Sequence, residues 1–301
     1  MAGRAFAVVL AAALAAGCGG EEAKPRSVSG LPGSIVDVNG HYLYFECVGS
    51  GSPTVVLEAG FGGGTNNWRD VQPKLGQATR TCSYNRAGLH GSAEIPGVHD
   101  AGDEIHDLER LLERAEIEPP YVLVGHSYGG LLARLFAYEH PGDVAGVALL
   151  DAAHHDWRRR ALTLIPGTPA LARLRRELRQ NVVEGVDIAA GEALARRVRS
   201  LEATPLVVIT AGRADPSNLP PSLQRSLGKL WDSLQNELAA LSSDSVHIVA
   251  LRSDHFVQDR FRGQPHVVVQ AVRAIINAER SDTDLSPCTR IFPGLAVRCR
   301  G

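Results

Sequence analysis

The sequence has almost no net charge and, after its first residues, no long apolar run. Its 31 Lys and Arg residues are balanced by 33 Asp and Glu residues, which leaves a formal net charge of −2. This balance gives no general attraction to nucleic acid. Beyond residue 18, no segment reaches the roughly 18 apolar residues that a membrane-spanning helix needs. With 44% hydrophobic and 21% charged residues, the composition is typical of a folded globular chain.

The sequence also lacks the short motifs that bind common cofactors. It contains no Walker phosphate loop, no dinucleotide fingerprint and no His/Cys cluster at metal-ligand spacing. The glycines of AGFGGG (59–64) follow an apolar run, but their spacing does not fit G-x-G-x-x-G. We therefore expect no cofactor and no metal. A small-molecule substrate is the expected partner, and nucleic acid is not.

The first 18 residues have the pattern of an export signal. Arg4 precedes the apolar stretch Ala5–Ala16, which is too short to span a bilayer and suits a signal-peptide core. Small residues before Cys18 resemble a bacterial lipobox, with Ala15 where Leu is usual. The resemblance implies a lipid on Cys18 that anchors the protein to the cell envelope. Ordinary cleavage with secretion and a retained N-terminal anchor are the alternatives. Residues 19–33 are interpreted as a tether.

Four further cysteines suggest two disulfides. An even number of cysteines in an exported chain favours disulfide pairing, and four cysteines allow three pairings. Cys288 and Cys299 lie in a Pro- and Gly-containing tail, 281–301, and could close a short loop. Cys47 would then pair with Cys82. Buried free thiols are the alternative.

From residue 34 to 280 the chain alternates strand-like apolar runs with helical patterns. This alternation predicts an α/β fold with a mostly parallel, eight-stranded sheet that helices cover on both faces. Continuously apolar runs such as VALLD are typical of strands buried on both faces. The predicted strands are Ser34–Val38, Tyr42–Val48, Thr54–Glu58, Thr81–Tyr84, Tyr121–Val124, Val144–Leu150, Leu206–Thr210 and Val246–Leu251. Apolar residues at helical spacing predict helices at Ala101–Ala115, Tyr128–His140 and His266–Arg280.

Residues 152–203 interrupt this alternation. They hold no convincing strand, show helical periodicity and contain ten Arg against six acidic residues. We expect a helical insertion that lies over the end of the sheet. Its arginines are interpreted as a solvated helix face, with contact to anionic lipid or to an acidic substrate group as the alternative.

The segment VLVGHSYGG (122–130) carries the main functional signal. An apolar strand runs into Gly125-His126-Ser127-Tyr128-Gly129 and a helix pattern follows, which is the context that a G-x-S-x-G nucleophile elbow requires. So tight a turn strains the backbone of Ser127, and side chains at 125 and 129 would clash. We therefore predict that Ser127 is a nucleophile, placed at the N-terminus of the next helix.

With four other segments, this motif resembles the α/β-hydrolase superfamily over about 34–278. Those segments are EAGFGGG (58–64), YNRAGLHGS (84–92), HPGDVAGVALLDAAH (140–154) and SDHFVQ (253–258). The chain departs from the family pattern at Ala59, where His is common, and at Asp254, which replaces Gly. In the YNRAGLHGS segment, Asn85 stands where the family usually has Asp, and His90 stands where it usually has Gly. The resemblance implies an α/β-hydrolase fold with the geometry of a catalytic triad.

The triad needs a base that takes the serine proton. An imidazole with a pKa near 6.5 suits this role. Of the 11 histidines, His255 directly follows the last strand-like run, on the side where the serine turn opens, and is the predicted base. His126 is interpreted as structural. His154 and His155, at the start of the insertion, are interpreted as solvated or capping residues, with substrate contact as the alternative.

Two aspartates compete for the role of triad acid. Asp151 ends the run VALLD, and Asp215 fits the Gly-x-x-Asp spacing from Gly212. The chain most resembles a subgroup with Leu-Val-Asp-x-x-His after strand six and a Trp–Gln–Leu helix before strand eight, which WDSLQNELAALS (231–242) fits. This resemblance favours Asp151, and Asp215 stays the alternative. The other aspartate would be a turn or N-cap residue.

An acyl-transfer site also needs N–H donors for the oxyanion of the tetrahedral intermediate. The backbone N–H groups of Tyr128 and Phe61 are the predicted donors, the latter in a loop whose glycines allow close approach. The sequence therefore predicts a serine hydrolase that cleaves a carboxylic ester through an acyl-Ser127 intermediate. Cleavage of an amide, lactone or C–C bond by the same triad, and a non-catalytic binding protein on the same fold, are the alternatives.

Overall fold

The computed structural model describes residues 26–27, 33–213 and 219–300. The export signal with Cys18, the tether except Arg26, Ser27 and Gly33, and Asp215 lie outside these residues. The described strands are β1 (Arg26–Ser27), β2 (Ser34–Asp37), β3 (Tyr42–Val48), β4 (Thr54–Glu58), β5 (Thr81–Tyr84), β6 (Tyr121–His126), β7 (Val144–Leu150), β8 (Val182–Val183), β9 (Val186–Asp187), β10 (Leu206–Ala211), β11 (Ser245–Ala250) and β12 (Val297–Arg300). The α-helices are α1 (Gln72–Leu75), α2 (Ala101–Arg114), α3 (Tyr128–Glu139), α4 (Trp157–Leu164), α5 (Ala172–Arg179), α6 (Ile188–Ala195), α7 (Pro221–Ala239), α8 (Pro265–Ser281) and α9 (Cys288–Ile291).

Ten of the described strands form one sheet in the order β1-β2-β3-β5-β4-β6-β7-β10-β11-β12. The six strands from β5 to β11 in this order run parallel, and the strands beyond them pair antiparallel. The predicted α/β-hydrolase fold with a largely parallel sheet is confirmed. All eight predicted strands are present, but the count of eight was wrong. Strands β1 and β12 extend the two edges of the sheet.

Helices cover both faces of the sheet because successive strand residues point to opposite sides. In β4, Val56 packs in the core that contains α2 and α3, whereas Val55 and Leu57 pack in the core that contains α8. This two-sided burial explains the continuous apolar runs that identified the central strands. Because the central strands run parallel, their carboxyl ends lie at one edge of the sheet, and the serine turn lies at this edge.

The two disulfides predicted from the sequence are both present. Cys47 on β3 lies directly opposite Cys82 on β5, and the two are bonded. Cys288 of α9 is bonded to Cys299 of β12, the strand of the predicted tail that pairs with β11. Disulfides of this kind persist in oxidising compartments, which favours an extracellular location. Among the described helices, none combines the length and apolarity needed to cross a membrane.

The segment between β7 and β10 is mainly helical, with α4, α5 and α6, but it also contains a hairpin. The expectation that 152–203 holds no strand was wrong, because β8 and β9 pair antiparallel. The hairpin turns at Glu184 and Gly185, which both have positive φ (56° and 81°), as a tight two-residue turn requires. An Asn-Gly or Asp-Gly signal is absent at this turn, and each strand has only two residues.

The packing of α8 on the sheet gives a test at Gly146 of β7. A Cβ at this position would overlap the Ile275 side chain and lie 2.9 Å from the carbonyl oxygen of Pro205. Because overpacking a filled core costs about 1–3 kcal/mol, we expect Gly146→Ala to lower the free energy of unfolding by that amount in urea denaturation. Gly142→Ala, with no neighbouring atom within 4 Å, is the matched control. Equal stability of the two variants would contradict this close packing.

Candidate active site

Ser127 lies in a tight turn between β6 and α3. Its backbone is strained, with φ 54° and ψ −120°. Two backbone hydrogen bonds join this turn to the end of β7 and the loop after it. Ser127 N donates to Leu150 O (3.1 Å), and Ala153 N donates to Ser127 O (2.8 Å). A Cβ at Gly125 would overlap the carbonyl of Gly129, as predicted. A Cβ at Gly129 would instead overlap the carbonyl of Glu58 on the neighbouring strand β4.

The structure brings Asp151 against His255. Asp151 follows β7, its side chain is buried, and its Oδ2 lies 2.7 Å from Nδ1 of His255. The other oxygen, Oδ1, accepts hydrogen bonds from Ala211 N (3.0 Å) and from Trp231 Nε1 (2.8 Å). Three donors therefore satisfy this buried carboxylate. Asp215, the other candidate, lies outside the described residues.

Helix α7 holds the loop that carries Asp151. Trp231 donates to the carboxylate, and one turn later Gln235 Nε2 donates to Ala152 O at 2.8 Å. Residues four apart on a helix lie on the same face, so both reach one loop. The subgroup resemblance identified this helix in the sequence, but not the bond from Trp231 to the acid. A Trp and a Gln at this spacing on a half-buried helix face are the signal that could have suggested it.

The loop of His255 is stabilised by Asp254, the residue that replaces the usual Gly of the family. Asp254, where Gly is usual, accepts from Phe256 N (2.9 Å) and pairs with Arg262 Nε (2.8 Å). The Arg262 guanidinium in turn lies 3.9 Å from the centre of the Phe256 ring. Asp254 thus stabilises the turn through side-chain bonds that a glycine could not make.

His126 also stabilises the loop of His255, through a hydrogen bond to its backbone. Its Nε2 lies 2.8 Å from the carbonyl oxygen of His255, and because a carbonyl only accepts, Nε2 carries the proton. Complete burial, with a further contribution from His255, lowers the pKa of His126 to about 3. His126 is therefore neutral at ordinary pH, which agrees with the structural interpretation.

His154 and His155 pack against each other, and His154 is buried. Their ring centres are 4.1 Å apart, and His154 Nδ1 accepts from Asp156 N at 3.1 Å, just before α4 begins. Burial lowers the pKa of His154 to about 3 and that of His155 to about 4. The solvated interpretation is wrong for His154, of which only 6% is exposed, whereas His155 is partly exposed.

Phe61 and Tyr128, which carry the predicted N–H donors, lie side by side. Their rings stack with centres 4.0 Å apart and planes 10° apart. Tyr128 is the first residue of α3, so its N–H has no acceptor within the helix. The loop of Phe61 passes close to the serine, since a Cβ on Gly60 would lie 3.0 Å from Ser127 Cβ.

Arg86, which the sequence analysis did not single out, is buried beneath this loop. It donates to the carbonyls of Ala59 (2.6 Å) and Gly60 (3.0 Å). It also pairs with Glu58 (3.0 Å) and Glu104 (3.1 Å), and all three charged side chains are at most 5% exposed. Glu58 ends β4 and Arg86 follows β5, which pairs with β4. An acidic and a basic side chain at the ends of neighbouring strands could therefore have predicted this ion pair from the sequence.

Two tyrosines complete this buried charged cluster. The hydroxyls of Tyr84 and Tyr128 donate to Glu58 and Glu104 respectively. Burial raises the pKa of Glu58, and it raises that of Glu104 to about 7, although Arg86 opposes both shifts. The cluster therefore joins the side chain of Tyr128 to the loop that carries Phe61.

The family departures Asn85 and His90 brace the same loop. Asn85 accepts from Thr65 N (2.8 Å) and donates to His90 O (2.8 Å). His90 Nε2 lies 3.1 Å from Gly62 O. An amide can both accept and donate here, which an ionised Asp could not. In the part of the chain that the structure describes, no group of three or more His, Cys, Asp or Glu is arranged to hold a metal ion.

Comparison with known proteins agrees with this architecture. The YqjL protein of Bacillus subtilis is 28% identical over 224 residues, which are 74% of this chain and 83% of that protein. An esterase from Thermogutta terrifontis has a TM-score of 0.55 at 23% identity and covers 85% of this chain and 98% of its own. A hydrolase from Pseudomonas aeruginosa has a TM-score of 0.58 at 18% identity and covers 83% and 100%. The family model described as alpha/beta hydrolase fold matches residues 53–261, and the chain therefore belongs to the α/β-hydrolase family.

Proposed function

We propose that this protein is a serine hydrolase that cleaves carboxylic esters through an acyl intermediate on Ser127. The observation that carries the proposal is the 2.7 Å contact between His255 Nδ1 and the buried carboxylate of Asp151. Asp151 follows β7, which pairs with β6, the strand that leads into the strained Ser127 turn. In this reading the turn is a nucleophile elbow, and the three residues form a triad.

Asp151 sets the protonation state of the base. A carboxylate can only accept, so His255 keeps its proton on Nδ1 and presents an unprotonated Nε2. His255 would take the proton of Ser127 as the hydroxyl attacks the ester carbonyl. It would then donate that proton to the leaving alcohol and afterwards activate the water that releases the acid. Asp151 stays ionised and stabilises the imidazolium throughout.

The backbone supplies the stabilisation of the oxyanion. Tyr128 N–H opens α3, where unpaired N–H groups and the helix dipole favour negative charge. Phe61 N–H would be the second donor, in the loop that lies against Ser127. Donors fixed before the reaction need little reorganisation as charge develops. The insertion, 152–203, would shape the acyl or alcohol pocket.

The serine hydroxyl at 127 indicates acyl transfer. Among acyl transfers, ester cleavage is favoured because an alcohol leaves more readily than an amine or a carbanion. Amides, lactones and C–C bonds use the same triad, and the shape of the pocket selects among them. A screen of p-nitrophenyl esters beside anilides and lactones separates these reactions. A ligand that raises the melting temperature without turnover would indicate a binding protein instead.

A fluorophosphonate probe tests the nucleophile. We expect the wild-type protein to gain one adduct, which mass spectrometry maps to Ser127, because His255 activates this hydroxyl. Ser127→Ala should gain none, and His255→Ala should label at least about 100-fold more slowly, as loss of a triad base implies. Ser50→Ala, at an exposed loop serine, is the matched control and should label like wild type. Esterase activity that survives Ser127→Ala would overturn the proposal.

Paired variants test the acid. In Asp151→Asn the amide can hold the wrong tautomer of His255, so we expect kcat to fall by about 10⁴-fold. Asp215→Asn should lower kcat by less than about tenfold, because in this account Asp215 takes no part in the triad. Steady-state kinetics on one ester substrate measures both. A larger loss in Asp215→Asn than in Asp151→Asn would reassign the acid.

We further propose that Cys18 is lipidated and anchors the protein to the cell envelope. The lipobox-like sequence supports this anchor, and the two disulfides support export. We expect the full-length protein in the membrane fraction with a lipid-modified N-terminal cysteine by mass spectrometry. Cys18→Ser should release it or leave the signal uncleaved. Soluble wild-type protein that begins after the signal would show plain secretion.

A further inference from the structure

The hairpin of the insertion reaches the loop that carries Phe61. Glu184, at the hairpin tip, accepts a hydrogen bond from the backbone N–H of Gly62, the residue after Phe61. Its other oxygen lies 3.4 Å from Nη2 of Arg86, the nitrogen that also donates to Gly60 O. One carboxylate from the insertion therefore contacts both the loop and the guanidinium beneath it.

The hairpin presents Glu184 from a fixed position. His99 N donates to Gly185 O (3.0 Å), and Asp187 N donates to His99 O (2.7 Å), so the hairpin is bonded to the chain before α2. Val186 is buried in the core that contains α2 and α3. Glu184 itself has φ 56°, a conformation that residues other than Gly, Asn, Asp and His rarely adopt. A glutamate at this strained position, with its side chain only 18% exposed, points to a role for the side chain.

The contacts at Arg86 act on the peptide that contains the predicted oxyanion donor. Gly60 C=O and Phe61 N–H belong to one planar trans peptide, so they point in opposite directions. Arg86 Nη2 holds the carbonyl at 3.0 Å and thereby orients the N–H on the other side. On the next peptide, Glu184 accepts from the N–H of Gly62, and on the peptide after that His90 contacts the carbonyl of Gly62. The peptide of Phe61 is thus fixed from both ends.

We propose that Glu184 is a positioning residue for the oxyanion donor of Phe61 and acts through Arg86 and Gly62. The inference rests on the proposed function of Ser127. The insertion then has two roles: it shapes the pocket, and its hairpin influences the rate of acylation.

Two substitutions at Glu184 test this role. Glu184→Ala removes both contacts, and we expect kcat on a p-nitrophenyl ester to fall about tenfold or more, with KM within about twofold, because a misplaced donor acts on the transition state. Affinity for a trifluoromethyl ketone, which forms a tetrahedral adduct, should fall in parallel. Glu184→Gln keeps an acceptor for Gly62 N–H and should recover most of kcat. Glu177→Ala, at an exposed glutamate of α5, is the matched control and should match wild type.

The possible results separate this role from the proposed function. Active wild type with unchanged kcat in Glu184→Ala overturns the positioning role and leaves the serine hydrolase intact. A rise in KM alone, or a faster Glu184→Ala, also overturns it, because the hairpin would then bind substrate or restrain the loop. If Glu184→Ala melts at a lower temperature, kcat and ketone affinity are measured well below its melting transition. Losses that persist there and recover in Glu184→Gln support the positioning role, whereas values equal to those of the wild type overturn it. A wild type with no turnover and no probe adduct overturns the proposed function and this role together.

Discussion

The carboxylate of Asp151 is the point at which the separate parts of the site meet. It receives the imidazole of His255 from the loop after β11, the N–H of Ala211 from the end of β10 and the indole of Trp231 from α7. A buried carboxylate is stable only if such donors are present, because the loss of one leaves polar surface unpaired in a dry environment. The same bonds that satisfy Asp151 therefore fix the position of His255 relative to the Ser127 turn.

A second buried polar centre, around Arg86, organises the other side of that turn. Its guanidinium bonds the carbonyls before Phe61, and Glu104 bonds the hydroxyl of Tyr128, whose ring stacks on Phe61. Burial of these charges is unfavourable by itself and is offset only while every partner is in place. In this arrangement the proposed oxyanion donors are backbone groups, and the buried side chains act by holding them. The hairpin of the insertion joins this centre through Glu184.

The parts of the fold that follow from local pattern could be predicted from the sequence, and the parts that depend on distant partners could not. The central strands and helices α2, α3 and α8 are long and strongly patterned, and the Ser127 turn has a local motif. Strand β12 was missed because VRCR is short and charged; in the structure it pairs with β11, and its Cys299 is bonded to Cys288. The Arg86 cluster was missed because its members come together only when β4 and β5 pair. Asp151 and Asp215 stayed alternatives in the sequence because strand ends at one sheet edge all approach the same histidine.

The central claim is that Asp151 holds the Nδ1 proton of His255 so that Nε2 faces Ser127, and the most direct test is proton NMR of the histidine ring. A proton shared between an imidazole and a carboxylate resonates far downfield of ordinary N–H groups, and ¹⁵N-labelled histidine with the His255→Ala variant assigns it. The account predicts this resonance in the wild type, its loss in Asp151→Asn and its survival in Asp215→Asn. A resonance that survives Asp151→Asn but disappears in Asp215→Asn would contradict the account.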